Sequence, residues 1–273
     1  MGDFMLIDTH AHLNFKAFRK NLDNVLWEAS QKGVDKIIVP GADWDSSKKA
    51  VTLAKSYKNI YAAVGIHPHH IFEVKSEKLK FKNELKKLAL NNKVVAIGEC
   101  GLDYFQYEKT KYKDYKVDAN FKKKQKEVFA LQLKIAQELS LPVILHCRQA
   151  HKDMKKIISS KFKNLKRGVF HCFSGDEKFL RWVIKKGFYV GFDGNLTYDK
   201  NLVKIATLTP FDKIILETDS PFLIPEPLRS KKIFPNRPEN VTIIARFLAK
   251  IRNVSFGRVA SQTTANAKKL FKL

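Results

Sequence analysis

Eight short runs of β-branched and apolar residues recur along the whole chain, and this repetition constrains the fold more than any other feature. They are Phe4–Asp8, Lys36–Pro40, Ile60–Gly65, Val94–Gly98, Val143–His146, Gly168–Cys172, Phe188–Phe192 and Lys213–Thr218. Each is followed by a turn and a stretch with helical spacing. Leu22–Lys32 places Leu22, Val25, Leu26 and Ala29 on one face, and Phe121–Leu139 and Asn240–Ile251 repeat apolar residues in the same way. Eight strands alternating with helices over 273 residues predict an α/β fold, the closed (β/α)8 or TIM barrel. Such a barrel occupies about 250 residues, so a single domain over 1–273 uses the chain without remainder. The competing arrangement is an open doubly wound sheet, but no G-x-G-x-x-G follows the first run.

Composition serves mainly to exclude. With 44% hydrophobic and 29% charged residues, the chain is not a disordered one. No stretch approaches the roughly 18 uncharged apolar residues of a membrane span. Met1-Gly2-Asp3-Phe4-Met5 lacks the basic and apolar regions of a secretory signal. Three cysteines, Cys100, Cys147 and Cys172, are too few and odd in number for a disulfide framework. A reducing, cytoplasmic setting without a membrane or obligate protein partner is therefore expected. Lys and Arg number 51 against 27 Asp and Glu, a net charge of +24. That excess points to a polyanion, nucleic acid before a membrane surface. The plain alternative is a set of lysine-rich helix faces in solvent. Two insertions, Asp103–Asn120 and Ser220–Glu239, follow the fourth and eighth runs, at the barrel face where active sites are built.

Polar residues sit at strand ends where a structural strand does not need them. The first ends in Asp8-Thr9-His10-Ala11-His12. In extended chain, positions i and i+2 share a side, so His10 and His12 can reach one metal together. Glu99 follows an apolar run and is costly to bury unless it meets a cation. The fifth run ends in His146, the sixth carries His171, and Asp219 closes the eighth. Four histidines and two carboxylates thus close five strands, a donor mixture that suits Zn, Mn or Mg. Each cysteine directly follows one of these residues, so strand alternation turns it outward as a small buried apolar group. No G-x-S-x-G nucleophile motif is present.

The segments D-T-H-A-H-L, G-I-H-P-H, I-G-E-C-G-L-D-Y, I-L-H-C-R, H-C-F-S-G and L-E-T-D-S-P, in this order, resemble the TatD family of metal-dependent deoxyribonucleases from Ile7 to the Asn236-Arg237-Pro238 segment. The resemblance implies a two-metal TIM-barrel hydrolase acting on DNA phosphodiesters, typically as an exonuclease working from the 3′ end of single-stranded or frayed DNA; the residues leave RNA open as a second substrate. By that resemblance His10, His12 and Asp219 hold one divalent ion, His146 and His171 a second, and Glu99 bridges them. A shared carboxylate offsets the repulsion of two divalent ions about 3.5–4 Å apart. Glu99 and Asp219 are the catalytic candidates, with Asp219 orienting or deprotonating the attacking water. His67, just past the third run, is expected at the scissile phosphate. Arg148, two residues past His146, suits phosphate bidentately. Glu217, two residues before Asp219, is expected to point into the barrel, either supporting a metal-holding residue from behind or as part of a polar layer in the core, and His70 and His151 to lie on the surface. Lys109, Lys111, Lys113, Arg229, Lys231, Lys232 and Arg237 are candidates to guide a strand, and Tyr104, Phe105 and Tyr107 to stack on its bases. Two alternatives are a small-molecule amidohydrolase or lactonase and a non-catalytic DNA-binding protein.

Overall fold

A computed structural model describes residues 4–74, 78–110, 112 and 115–273. Lys111 and Lys113 lie outside the described residues. Eight strands form one parallel sheet in chain order: β1 (Leu6–Asp8), β2 (Val34–Pro40), β3 (Ile60–Val64), β4 (Val94–Asp103), β5 (Val143–Arg148), β6 (Gly168–Phe170), β7 (Tyr189–Phe192) and β8 (Ile214–Leu216). A parallel bridge between Ala11 and Ser220 joins the two edges and closes the barrel. The expected (β/α)8 architecture is the observed one, and the open sheet is excluded.

The helices follow the strands in sequence order, all but the last packing on the outside. They are α1 (Leu22–Gln31), α2 (Trp44–Ser56), α3 (Lys78–Ala89), α4 (Ala119–Glu138), α5 (His151–Lys161), α6 (Glu177–Lys185), α7 (Lys200–Leu208), α8 (Val241–Arg252) and α9 (Phe256–Phe271). Their amphipathic faces drive this: in α1, Val25 and Ala29 are buried while Leu22 and Leu26 pack against the core. Several helices that follow strand C-termini start on a capping aspartate. Asp118 accepts from Phe121 N–H in α4 and Asp176 from Phe179 N–H in α6, each cap stabilising its helix by about 1 kcal/mol.

The barrel interior is a second apolar cluster with residues from every strand, among them Ile7, Ile38, Ala63, Ile144, Val169 and Ile215. Ala267, Leu270 and Phe271 of α9 belong to the same cluster. Thr264 Oγ1 donates to Met5 O at 2.7 Å and Asn266 Nδ2 to Ile214 O at 2.8 Å, both at strand N-termini. The C-terminal helix therefore plugs the floor of the barrel and leaves the opposite, C-terminal mouth for polar side chains.

The sequence boundaries shift in one consequential place. β4 continues five residues past the expected end at Gly98, and β5 runs on to Arg148. Cys100 to Asp103 pair in register with Leu145 to Arg148, after an irregularity between Ile97 and Cys100. Glu99 and Asp103 thus belong to a strand rather than a loop. A β-carbon at Gly101 would overlap the carbonyl oxygen of His146, so only glycine permits this close pairing.

Candidate metal centre

The barrel seam sets the first group of side chains. Asp219 N–H donates to His10 O at 2.8 Å, and His12 N–H donates to Ser220 O at 2.7 Å. Beneath them the buried Asp8 carboxylate accepts from Thr218 N–H at 3.0 Å and from His10 N–H at 3.2 Å. These bonds fix the β1 and β8 ends against each other, which carries His10, His12 and Asp219 to one point. His10 Nε2 lies 3.2 Å from His12 Nε2 and 3.5 Å from Asp219 Oδ1, and His12 Nε2 lies 3.4 Å from that same oxygen.

Glu99 stands between this group and a second one. Its Oε2 is 3.3 Å from His10 Nε2 and 3.7 Å from His12 Nε2. Its Oε1 is 2.8 Å from His146 Nδ1, 2.7 Å from His171 Nε2 and 3.3 Å from His67 Nε2. The His10 and His171 rings stack with centroids 4.0 Å apart. All six side chains expected to hold metal are therefore brought together, and His67, expected at the phosphate, faces Glu99 beside His146.

Burial pushes the Glu99 carboxyl up, but the imidazoles around it, His171 and His67 foremost, outweigh burial and hold it well below the usual carboxylate range. Asp219 is likewise lowered against its burial, by His12 and His10. Burial, aided by the neighbouring His171 imidazole, drives His10 down to about 4 against the pull of Glu99, which keeps that imidazole neutral with a lone pair to offer. Glu217 sits behind His171 with Oε1 3.8 Å from Nδ1, accepts from Cys172 N–H at 2.6 Å, and is pushed by burial up to about 8.

The donor set fits divalent ions. Ring nitrogens of His10 and His12, and of His146 and His171, approach each other to 3.2 and 3.3 Å, an arrangement a shared cation satisfies. Among the described residues, three overlapping sets can each hold an ion: His10, His12 and Glu99; His10, His171 and Asp219; and His67, Glu99 and His146. Nitrogen and oxygen donors without sulfur match Zn, Mn or Mg.

The centre opens into a cavity of about 740 Å³. Phe15 and Phe222 line one side, with Phe15 stacked on His12 at 4.4 Å between centroids. Arg148 and Tyr107 line the other. Arg148 is exposed, lies 4.0 Å above the Phe105 ring and donates to Tyr107 OH at 2.9 Å. Tyr104 is turned away, donating its hydroxyl to Asp153 at 2.7 Å. Of the candidate guiding cations, Lys109, Lys231 and Lys232 are exposed. Arg229 pairs with Glu226 at 3.4 Å and lies over Tyr198, and Arg237 is taken by an ion pair with Glu28.

Three expectations are corrected. Cys147 and Cys172 both line the cavity, and Cys172 does so because β6 ends at Phe170 and its left-handed φ of 42° breaks the strand alternation. His70 is half-buried, its Nδ1 2.8 Å from Tyr112 OH. His151 is half-buried against Phe179, with ring centroids 4.4 Å apart. Asp103, to which the sequence pattern assigns no role, is buried with Oδ2 3.0 Å from His146 Nε2. The available signal was a carboxylate closing the fourth motif, four residues past Glu99.

Similarity to known proteins agrees with this geometry. The profile of the TatD related DNase family matches residues 7–272. A Bacillus subtilis protein named as the uncharacterized metal-dependent hydrolase YabD is 37% identical, covering 98% of this chain and 100% of its own. The 3′-5′ ssDNA/RNA exonuclease TatD of Erwinia tasmaniensis is 32% identical over 98% of this chain and 100% of its own. The crystal structure of the TatD homologue YJJV from Escherichia coli K12 superposes with a TM-score of 0.88 at 29% identity, covering 100% of both chains. Matching the family profile from the first strand to the last helix, this chain belongs to the TatD related DNase family of metal-dependent hydrolases.

Proposed function

We propose that this protein is a divalent-metal-dependent exonuclease that removes nucleotides from the 3′ end of single-stranded or frayed DNA, and of RNA. The observation that carries the proposal is the divided carboxylate of Glu99, with Oε2 toward His10 and His12 and Oε1 toward His146 and His171. His10, His12 and Asp219 would hold one ion, His146 and His171 the other, with Glu99 shared. Such ions supply Lewis acidity and an activated water when bound. Asp219 takes the proton of the attacking water on its carboxylate and returns it to the departing 3′-oxygen. His67 and Arg148 orient the phosphate, the guanidinium by paired donors. Phe15 and Phe222 give the terminal base an aromatic wall. The relative from Erwinia tasmaniensis, named for activity on ssDNA and RNA, supports the substrate class. The cavity of about 740 Å³ opens to solvent, so the end of a strand can enter it.

No described helix is long and apolar enough to cross a membrane. The three cysteines are free thiols. A single-stranded oligonucleotide labelled at its 5′ end tests the proposal. A ladder shortening from the 3′ end is expected, abolished by EDTA and restored by Mg²⁺, Mn²⁺ or Zn²⁺. Loss of the label first reverses the polarity, and activity in EDTA removes the metal mechanism.

A further inference from the structure

A chain of hydrogen bonds runs from the mouth of the cavity to the back of His146. Arg148 Nη1 donates to Tyr107 OH at 2.9 Å. Tyr107 OH donates to Asp103 Oδ2 at 2.8 Å, and His146 Nε2 lies 3.0 Å from the same oxygen. Asp103 is wholly buried and anchored, its Oδ1 accepting from Phe105 N–H at 2.9 Å and its backbone N–H bonded to Gln125 Oε1 at 3.0 Å. The proton inventory of these groups allows one direction only. A guanidinium has no acceptor, so the Tyr107 hydroxyl must receive from Arg148 and spend its own proton on Asp103. An ionised carboxylate only accepts, so His146 must carry a proton on Nε2. Its Nδ1 faces the centre, 2.8 Å from Glu99 Oε1 and 3.3 Å from His171 Nε2, and would offer its lone pair there when a cation is held between these groups.

We propose that Asp103 is the positioning residue that fixes the tautomer and orientation of His146, and that Tyr107 ties this carboxylate to the phosphate-binding Arg148. The inference rests on the metal-dependent nuclease reading above, and it assigns the strand-contacting cation and a metal-holding imidazole to one hydrogen-bonded unit. A carboxylate behind a ligating histidine raises its basicity and holds its ring, and removing such a partner weakens metal binding about 10- to 100-fold.

Asp103→Asn keeps the shape and the acceptor for Phe105 N–H but turns an amide donor toward His146. Nε2 must then accept, and the proton moves to Nδ1, the atom facing the centre. Titration with Mn²⁺ should show affinity weakened about 10- to 100-fold, and ¹⁵N spectra of the histidines should show the changed tautomer. Tyr107→Phe leaves Asp103 and His146 paired. Its Mn²⁺ affinity should stay at the parent value, while KM for a single-stranded oligonucleotide rises about fivefold with kcat unchanged. In the Zn²⁺-loaded parent, His146 should carry its proton on Nε2, a measurement that does not depend on any variant folding. A bare Nε2 there overturns the proposal, as does an Asp103→Asn protein with parental affinity and tautomer. An unchanged KM in Tyr107→Phe overturns the link to Arg148. A parent that binds no metal overturns the proposed function itself, whereas an indifferent Asp103→Asn in a metal-binding parent overturns the positioning alone.

Discussion

Glu99 is the residue with most to lose, because each of its oxygens faces a different group of imidazoles. In Glu99→Ala those nitrogens lose the charge between them, so metal content should fall below that of the parent and digestion of single-stranded DNA should stop. Metal analysis beside a digest checks both, and full activity at unchanged stoichiometry removes Glu99 from the centre. Asp219 separates holding from chemistry. Asp219→Asn retains an amide oxygen near His10 and His12 but cannot take a proton, so metal should be largely kept while kcat drops by at least about 10²-fold. A loss of rate in proportion to metal would make Asp219 a holder only. At this scale His10, His12, Glu99, His146, His171 and Asp219 were readable, because each interrupts an apolar run at a strand end. Asp103 and Asp8 were not, since their partners, His146 and Thr218, are 43 and 210 positions away.

Among the elements, α4 braces the site through two buried glutamines that its own periodicity makes look like breaks in an apolar face. Gln132 holds the chain before His67, accepting from Ile66 N–H at 2.7 Å and donating to Ile66 O at 2.9 Å. Gln125 does the same for the end of β4, accepting from Asp103 N–H at 3.0 Å and donating to Asp103 O at 2.8 Å. Gln125→Leu would leave buried backbone groups without partners, at a cost of about 1–3 kcal/mol. The urea midpoint should fall accordingly with the slope retained. An unchanged midpoint would mean that water or a shifted backbone satisfies Asp103. The extension of β4 and β5 was hidden from the sequence, because Gly98, Gly101 and a buried glutamate do not read as strand. Only the pairing partner across the sheet makes extended chain favourable there.

For the whole molecule the open question is where the net charge of +24 acts. Arg229, though exposed, is paired with Glu226 and Arg237 with Glu28, whereas Lys231 and Lys232 are the exposed lysines of the eighth loop. The same loop carries Phe222 to the cavity wall. If it guides the strand, replacing both lysines with alanine should flatten the salt dependence of single-strand binding by up to about 1.4 in slope, at roughly 0.7 per phosphate contact. Single-turnover cleavage at saturating DNA should barely change. An unaltered slope would assign the basic excess to solvated helix faces. The barrel itself was legible in sequence because its determinants are local and repeated: a period of two in each strand, of 3.6 in each helix, eight times over. Which polar side chains gather at the mouth was legible for the same reason, since chain order places every strand end on one side of the barrel. What only the tertiary structure decided is how those ends meet. The division of Glu99, the turn of Cys172 into the cavity, the plug of α9 and the chain from Arg148 to His146 depend on contacts between residues far apart in sequence. Such contacts exist only once the sheet has closed, so no local pattern encodes them.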